Sequence, residues 1–300
     1  MAWFLAFALA GGAAQLVDGT LGMGFGVTSA TLLLAFGVSP VAASAATHVA
    51  KLPTTLVSGL AHWRHGNVDW AVVRRLALPG AIGAFVGAVV LTELSLASAK
   101  AWMAGLLFFF GLVIFARFGF GVRLIPMPRH GHTARWLVPI GGLGGFVDAT
   151  GGGGWGPVVT PSMLTVTRHE PRRVVGSVNA AEFIVAAAAS LGFITGAAHE
   201  DIPWVPVLGL VAGGMVVAPI AARLAGRLPQ APMGTMVGGL ILLVNGMVIL
   251  QAVTQVPTGL GWAGFAAMVT GTAVVARRAR GRERRERAEA PAAPVPAPTP

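Results

Sequence analysis

The stretch GGFVDATGGGGWGP, residues 144–157, decides the fold of this chain. It places four consecutive glycines inside a long apolar run, and glycine weakens both helices and strands. A related stretch, AAQLVDGTLGMGFGV, stands near the N-terminus. Six residues of the two stretches match with a constant offset of 130 positions (148 − 18): Val17, Asp18, Thr20, Gly22, Gly24 and Gly26. The match predicts two copies of one structural unit.

The composition is that of a membrane protein. The chain is 55% hydrophobic and only 11% charged, whereas a soluble domain carries roughly 25% charged residues. A bilayer span needs about 20 apolar residues. The apolar runs are 40–62, 70–92, 99–119, 174–197, 203–222, 232–252 and 257–276, with two longer glycine-bearing segments at 2–37 and 134–167. We therefore predict an all-α polytopic membrane protein with about eight or nine membrane segments.

The predicted organisation is a single transmembrane transporter domain over residues 1–276. Repeat one covers about 1–122, repeat two covers about 134–254, and an extra helix follows at about 257–276. The tail, 277–300, is basic and then rich in Pro and Ala, and we expect its Pro/Ala end to be disordered. The chain has no cysteine, which excludes disulfides and thiol sites, and its histidines indicate no metal site. No cofactor is expected.

The distribution of arginines predicts the topology, since loops rich in Lys and Arg stay in the cytoplasm. Loops 63–75, 117–135 and 223–229 are basic and should be cytoplasmic. Segment 168–173, RHEPRR, is equally basic, so segment 134–167 should enter the membrane and return. The simpler alternative, eight or nine plain spans with packing glycines, leaves RHEPRR unexplained. The basic C-terminal tail should lie on the cytoplasmic side of the plasma membrane, as a topology signal or a contact for anionic lipid rather than nucleic acid.

A helix break at Gly151 to Gly154 explains such a return. It predicts two half-helices, 134–148 and 155–167, that meet inside the membrane as a re-entrant hairpin. Broken helix at that depth requires a protein or water-filled surrounding. Three spans separate the two glycine segments, and an odd number inverts the second copy. Two inverted repeats with broken helices are typical of secondary transporters.

The breaks also predict an anion site. The start of a half-helix exposes unpaired N–H groups and the positive end of the helix dipole, which bind anions. Glycine lets a ligand approach the backbone, and threonine adds hydroxyl donors. The alternative is that the glycines only allow close helix packing. The candidate substrate-binding residues are Thr20, Gly22, Gly24, Lys51, Thr150, Gly152, Gly153, Gly154 and Asn179.

Ionisable residues inside membrane spans are costly and are functional candidates. Here they are Asp18, His48, Lys51, Asp148 and Glu182, candidates for coupling or for structural charge. The spans that follow the two breaks align with an offset of 131, which pairs His48 with Asn179 and Lys51 with Glu182. Lys51 is either an anion ligand or the ion-pair partner of Glu182. His48 shuttles protons or bonds a neighbouring helix, and the two aspartates cap the half-helices or contact the substrate.

The same residues carry a resemblance to a known family. The paired glycine segments, the stretch ATHVAKLPTTLVSGLAHWRHGNVDW after the first, and DATGGGGWGP with RRVVGSVNAAEFIVAAAASLGFITG in the second half resemble the TauE/SafE sulfite exporters. The similarity covers roughly residues 8–250. It implies a plasma-membrane transporter of sulfur-containing anions such as sulfite, sulfoacetate or thiosulfate.

The leading functional hypothesis is therefore secondary transport of a small sulfur-containing anion, in the outward direction. The expected partners are that anion and the lipid bilayer, without nucleic acid, and the oligomeric state is left open. An anion channel or another membrane permease is the alternative. An intramembrane serine protease using Ser58 and His62, which lie four residues apart on one helix face, is a further alternative.

Overall fold

A computed structural model describes residues 1–122, 133–167, 169–196, 202–225, 227–253 and 258–289. Within these ranges all regular structure is helical. The helices are α1 (Ala2–Leu21), α2 (Phe25–Ala35), α3 (Pro40–Arg64), α4 (Trp70–Glu93), α5 (Leu96–Phe120), α6 (Thr133–Gly151), α7 (Trp155–Val166), α8 (Pro171–Gly196), α9 (Trp204–Leu224), α10 (Gln230–Val253) and α11 (Thr258–Glu289).

Six of the described helices are long and apolar enough to cross a membrane. They are Ala2–Leu21, Trp70–Glu93, Leu96–Phe120, Pro171–Gly196, Trp204–Leu224 and Gln230–Leu250. Helix α3 is not among them, although it has 25 residues, because one of its faces is polar along its length. The all-α membrane fold is thus confirmed, while the larger number of eight or nine segments stays a prediction.

Both glycine segments are broken helices. Helix α1 ends at Leu21 and α2 begins at Phe25, while α6 ends at Gly151 and α7 begins at Trp155. The first residue of each break is a glycine in the left-handed region, with φ of 69° at Gly22 and 71° at Gly152. A side chain there would strain the backbone. The second break lies where the sequence predicts it, although α6 continues three residues beyond the expected end at 148.

The first broken helix folds back on itself. The ring of Phe36, which directly follows α2, lies 5.3 Å from the ring of Trp3 and 5.3 Å from that of Phe7. Both of these residues belong to the start of α1. Helices α1 and α2 therefore form a hairpin, the first hairpin, whose two outer ends lie at one end of the molecule.

The second broken helix also folds back. Helix α6 runs beside α4 in the same direction, since a Cβ on Gly141 would meet Leu76 and one on Gly145 would meet Gly80. Just after α7, His169 Nε2 lies 3.4 Å from Oδ2 of Asp69, the residue before α4. Helices α6 and α7 form the second hairpin, and both of its outer ends lie at the end of the molecule that carries Asp69.

The two hairpins enter the bundle from opposite ends. Helix α8 runs parallel to α4, because Gly196 abuts Thr92, so α9 begins at the end remote from Asp69. Helix α1 in turn runs parallel to α9, with Gly11 against Leu210. The first hairpin therefore enters where α9 begins.

The tips of the hairpins pass beside each other in the middle of the bundle. A Cβ on Gly153 would overlap the backbone of Gly26, and one on Gly156 would overlap Met23. The Thr160 hydroxyl donates to the Gly22 carbonyl at 2.5 Å. These contacts bring the two breaks into direct backbone contact, which only glycine permits at this distance.

The C-terminal helix extends beyond the apolar run that ends at about 276. Helix α11 continues to Glu289, so the basic residues 277–289 are helical. Arg282 donates to the carbonyls of Phe118 and Gly119 at the end of α5. Glu283 accepts from the first N–H groups of α10, at 3.1 and 3.0 Å. The charged residues thus cap two helix ends. The length of the apolar run alone did not predict this extension of the helix. The Pro/Ala stretch 290–300 lies outside the described residues.

Candidate functional site

The buried charges predicted by the sequence meet where the hairpins overlap. The Lys51 ammonium lies 2.8 and 3.0 Å from the two carboxylate oxygens of Asp148. It also lies 2.9 Å from Glu182 Oε1. Lys51 is only 1% exposed, and both of its partners are buried. One cation therefore joins α3 to α8 and to the tip of the second hairpin.

Asp148 has a second basic partner. His48 Nε2, one turn before Lys51 on α3, lies 3.1 Å from Asp148 Oδ2. The other ring nitrogen lies 2.8 Å from the Ser44 carbonyl, so both imidazole nitrogens face oxygen acceptors. The Ser44 hydroxyl donates to the Ala149 carbonyl at 2.6 Å. Three side chains at helical spacing on α3 thus hold the end of α6 in place.

Each aspartate also reaches across its own break. Asp148 Oδ1 accepts from the Trp155 N–H at 3.0 Å, and Asp18 Oδ1 accepts from the Phe25 N–H at 3.4 Å. Trp155 and Phe25 are the first residues of the second half-helices, so the geometry is that of an N-terminal cap. For Asp148 the cap and the ion pair coincide. The Asp148 carboxylate thus accepts from the Trp155 N–H and the Lys51 ammonium, two donors that the sequence analysis predicted for a bound anion.

The glycines of the breaks are buried and in close contact with protein. A Cβ on Gly26 would lie 2.8 Å from the Lys51 ammonium, which places this cation directly against the first break. A Cβ on Gly24 would touch Val17, and one on Gly154 would touch Val147, at the equivalent point of the other hairpin. Packing accounts for the glycines in this conformation.

Each of the remaining predicted ligands donates to a carbonyl of its own helix. The hydroxyl of Thr20 donates to Leu16 O at 2.7 Å, and that of Thr150 donates to Phe146 O at 3.0 Å, each within its own helix. The Asn179 amide donates to Val175 O at 3.1 Å. These three residues are buried, and none of these bonds connects them to Lys51.

The protease alternative requires a Ser58–His62 pair. Instead, the Ser58 hydroxyl donates to Asn179 Oδ1 at 3.0 Å. His62 Nδ1 lies 3.4 Å from the Asn67 amide. The serine is thus committed to a neighbouring helix rather than to the histidine that would activate it.

One functional feature was not recognised from the sequence. Helix α3 carries a polar face along about 27 Å of its length, at the rise of an α-helix. Its members recur every three or four residues and are all buried: Ser44, His48, Lys51, Thr55, Ser58 and His62. Such a periodic pattern is visible in the sequence. A continuous buried polar face is what a polar solute would need to cross the bundle.

The comparisons with known proteins show the family of this chain. The model of the family described as "Sulfite exporter TauE/SafE" matches residues 7–248. The chain belongs to this family. The TauE/SafE resemblance predicted from the glycine segments is thus confirmed. The chain is also 44% identical, over 248 residues, to the probable membrane transporter protein YtnM of Bacillus subtilis (strain 168), with 82% of this chain and 83% of that protein covered. No solved structure matches.

These similarities establish the general function. The family is described as one of sulfite exporters, and the Bacillus relative is described as a probable membrane transporter. Together with the six apolar helices, they identify the protein as a multi-pass membrane transporter.

Proposed function

We propose that the protein is a secondary transporter that exports a small sulfur-containing anion, such as sulfite, sulfoacetate or thiosulfate, across the plasma membrane. The observation that carries the proposal is the meeting of two broken helices beside one buried lysine. Lys51 lies against Gly26 of the first break and pairs with Asp148 at the second. The sulfite exporter family to which the chain belongs supports this substrate class.

The pairing of the helices supports two inverted repeats. Let α1 to α5 correspond in order to α6 to α10. Helix α1 packs along α9. Its counterpart α6 packs along α4, which is the counterpart of α9. The counterparts α3 and α8 pack on each other, and so do α5 and α10. A pseudo-two-fold axis produces this exchange. Hairpins that enter from opposite ends then correspond to repeats of opposite orientation.

Lys51 is the proposed anion ligand. A sulfur oxyanion that leaves water needs a full compensating charge, because backbone N–H groups carry only partial charges. In this conformation the Lys51 ammonium is paired with Asp148 and Glu182, and Asp148 also accepts the hydrogen bond of the Trp155 N–H. We infer that substrate and carboxylates compete for the same donors. Transport then alternates between a state closed by the carboxylates and one in which the hairpins separate and the anion binds.

Proteoliposomes provide the direct test. Purified protein is reconstituted, and sulfite, thiosulfate and sulfoacetate are compared with chloride and sulfate in counterflow and uptake assays. The proposal expects saturable counterflow of at least one sulfur anion. Flux that is passive and does not saturate would instead identify an anion channel.

Topology is tested separately with single cysteines, since the chain has none of its own. Glu170→Cys, after the second hairpin, and His65→Cys, after α3, should both be shielded from an impermeant thiol reagent added to intact cells. Ala97→Cys, at the exposed start of α5, should react. Reaction of Glu170→Cys from outside would contradict the inverted repeats.

A further inference from the structure

The first hairpin contains a buried carboxylate that forms no ion pair among the described residues. Asp18 is only 3% exposed, and its Oδ1 accepts from Phe25 N at 3.4 Å. Its Oδ2 finds no hydrogen-bond partner among the described residues. The equivalent Asp148 is paired with Lys51 and His48. A buried charge without an ion pair is costly, and Lys51, which lies against this break, forms its ion pairs with Asp148 and Glu182 instead.

The repeat alignment explains why Asp18 has no ion pair of its own. The positions equivalent to Lys51 and His48 hold Glu182 and Asn179. Asp148 has the basic residues Lys51 and His48 at these positions. For Asp18, the same two positions hold an acid and an amide. These substitutions remove positive charge and add oxygen atoms.

Three further polar side chains on the first hairpin are buried without partners. Both polar atoms of the Gln15 amide, the Thr28 hydroxyl and the Ser29 hydroxyl have no hydrogen-bond partner in the described part of the chain. The positions equivalent to these residues on the second hairpin hold no polar side chain: they are Gly145, Val158 and Val159. Among the described residues, these buried polar atoms without partners therefore lie on the first hairpin and not on the second.

The register of the hairpin brings these groups to one level. Phe7 is level with Phe36, and Asp18 is level with Phe25, so residue numbers rise along α1 as they fall along α2. Gln15 lies one turn before Asp18 on α1. Thr28 and Ser29 lie one turn after Phe25 on α2. Carboxylate, amide and hydroxyl groups consequently flank one short section of the hairpin.

We propose that this section binds a sodium ion, with Asp18 as the anionic ligand and Gln15 Oε1 and the Thr28 and Ser29 hydroxyls as neutral ligands. Hard cations prefer oxygen ligands of this kind, and unwound backbone at a helix break adds carbonyls. The single charge matches the ammonium that Lys51 offers to Asp148. A proton would satisfy Asp18 alone and would leave Gln15, Thr28 and Ser29 unexplained. The role of this ion in coupling rests on the proposed transport function, whereas its binding does not.

Thermal unfolding of the purified protein in detergent tests binding without any substrate. The midpoint temperature is measured in NaCl, KCl and choline chloride at equal ionic strength. A ligand that binds only the folded state raises this midpoint in a saturable manner, so NaCl should raise it over choline chloride. Asp18→Asn should weaken the apparent sodium affinity by about tenfold or more, because affinity follows the charge of the ligands.

Matched variants separate ligand loss from general damage. Thr28→Val introduces the residue type found at the equivalent Val158 and should also weaken the sodium response. Ser190→Ala removes another buried hydroxyl without a partner, on α8, and should leave the response unchanged. If Asp18→Asn does not fold, Thr28→Val decides the question.

A midpoint that does not depend on sodium would overturn the proposal, and so would an unchanged response in Thr28→Val. Stabilisation that follows pH and ignores sodium would identify a proton at Asp18 and would equally overturn it. Counterflow of the anion is measured in parallel without sodium. Anion exchange without any sodium effect would leave the transport function standing and remove only the sodium site.

Discussion

The two helix breaks share one backbone and differ in their chemistry. Each has a left-handed glycine at its start and an aspartate that accepts from the first N–H of the next half-helix. The second break adds Lys51 and His48 to its aspartate, whereas in the described part of the chain Asp18 Oδ2 has no hydrogen-bond partner. The capping role of the aspartate is thus common to both breaks, and its electrostatic role is not. The difference teaches that two helix breaks with the same backbone geometry can surround the same residue type with different charges.

The largest expected effect comes from removing the cation of the second break. Lys51→Met leaves Asp148 and Glu182 as buried carboxylates that have lost their shared partner. Removing one partner of a buried pair costs about 3–5 kcal/mol in the free energy of unfolding. We expect little folded protein, as measured by size-exclusion chromatography of a fluorescent fusion.

Compensating substitutions sharpen this test. Adding Glu182→Gln to Lys51→Met should recover part of the folded protein, and adding Asp148→Asn should recover most of the rest. If Lys51 binds the anion, this triple variant folds but does not transport. Recovery of anion transport together with folding would show that Lys51 is only a structural partner.

The two aspartates provide the most direct comparison. Asp148→Asn weakens two charge-assisted contacts and should lower the free energy of unfolding by about 2–3 kcal/mol. Asp18→Asn should cost less than about 1 kcal/mol in sodium-free buffer, because asparagine caps a helix as well as aspartate does. Thermal or denaturant unfolding in choline chloride measures both. Equal losses would show that the two breaks do not differ electrostatically.

The contact between the breaks is tested with a single methyl group. Gly153→Ala places a Cβ against the backbone of Gly26 and Val27 and should destabilise the protein by about 1–3 kcal/mol. Gly105→Ala on α5 is the control, since no atom lies within 4 Å of its Cβ position. Both are compared by unfolding midpoint. A tolerated Gly153→Ala would mean that the hairpins separate more easily than their packing indicates.

The smallest effect is expected at the threonines before the breaks. Thr20→Val and Thr150→Val each remove a hydroxyl that bonds within its own helix, and such a bond contributes about 1 kcal/mol or less. Stability should hardly change in either variant. Counterflow then decides their role, since a tenfold loss of apparent anion affinity at unchanged stability would make the altered threonine a substrate ligand.

The sequence by itself determined the features that depend on local pattern. The length of the apolar runs located the helices, and the constant offset between Asp18 and Asp148 identified two related segments. The glycines at 151–154 located the helix break, because backbone preferences act over a few residues. The same logic predicted that Lys51 and Glu182 could pair, since their positions are equivalent in the repeat.

Only the tertiary structure decided which groups meet. Lys51 and Asp148 are 97 positions apart, and no local pattern distinguishes that pair from Lys51 and Asp18. The continuation of α11 to Glu289 depends on contacts that Arg282 and Glu283 make with the ends of α5 and α10. Likewise, the glycines proved to face each other across the two hairpins. Hydrogen bonds and ion pairs between distant segments depend on the packing of whole helices, so they follow from the fold and not from the spacing of residues along the chain.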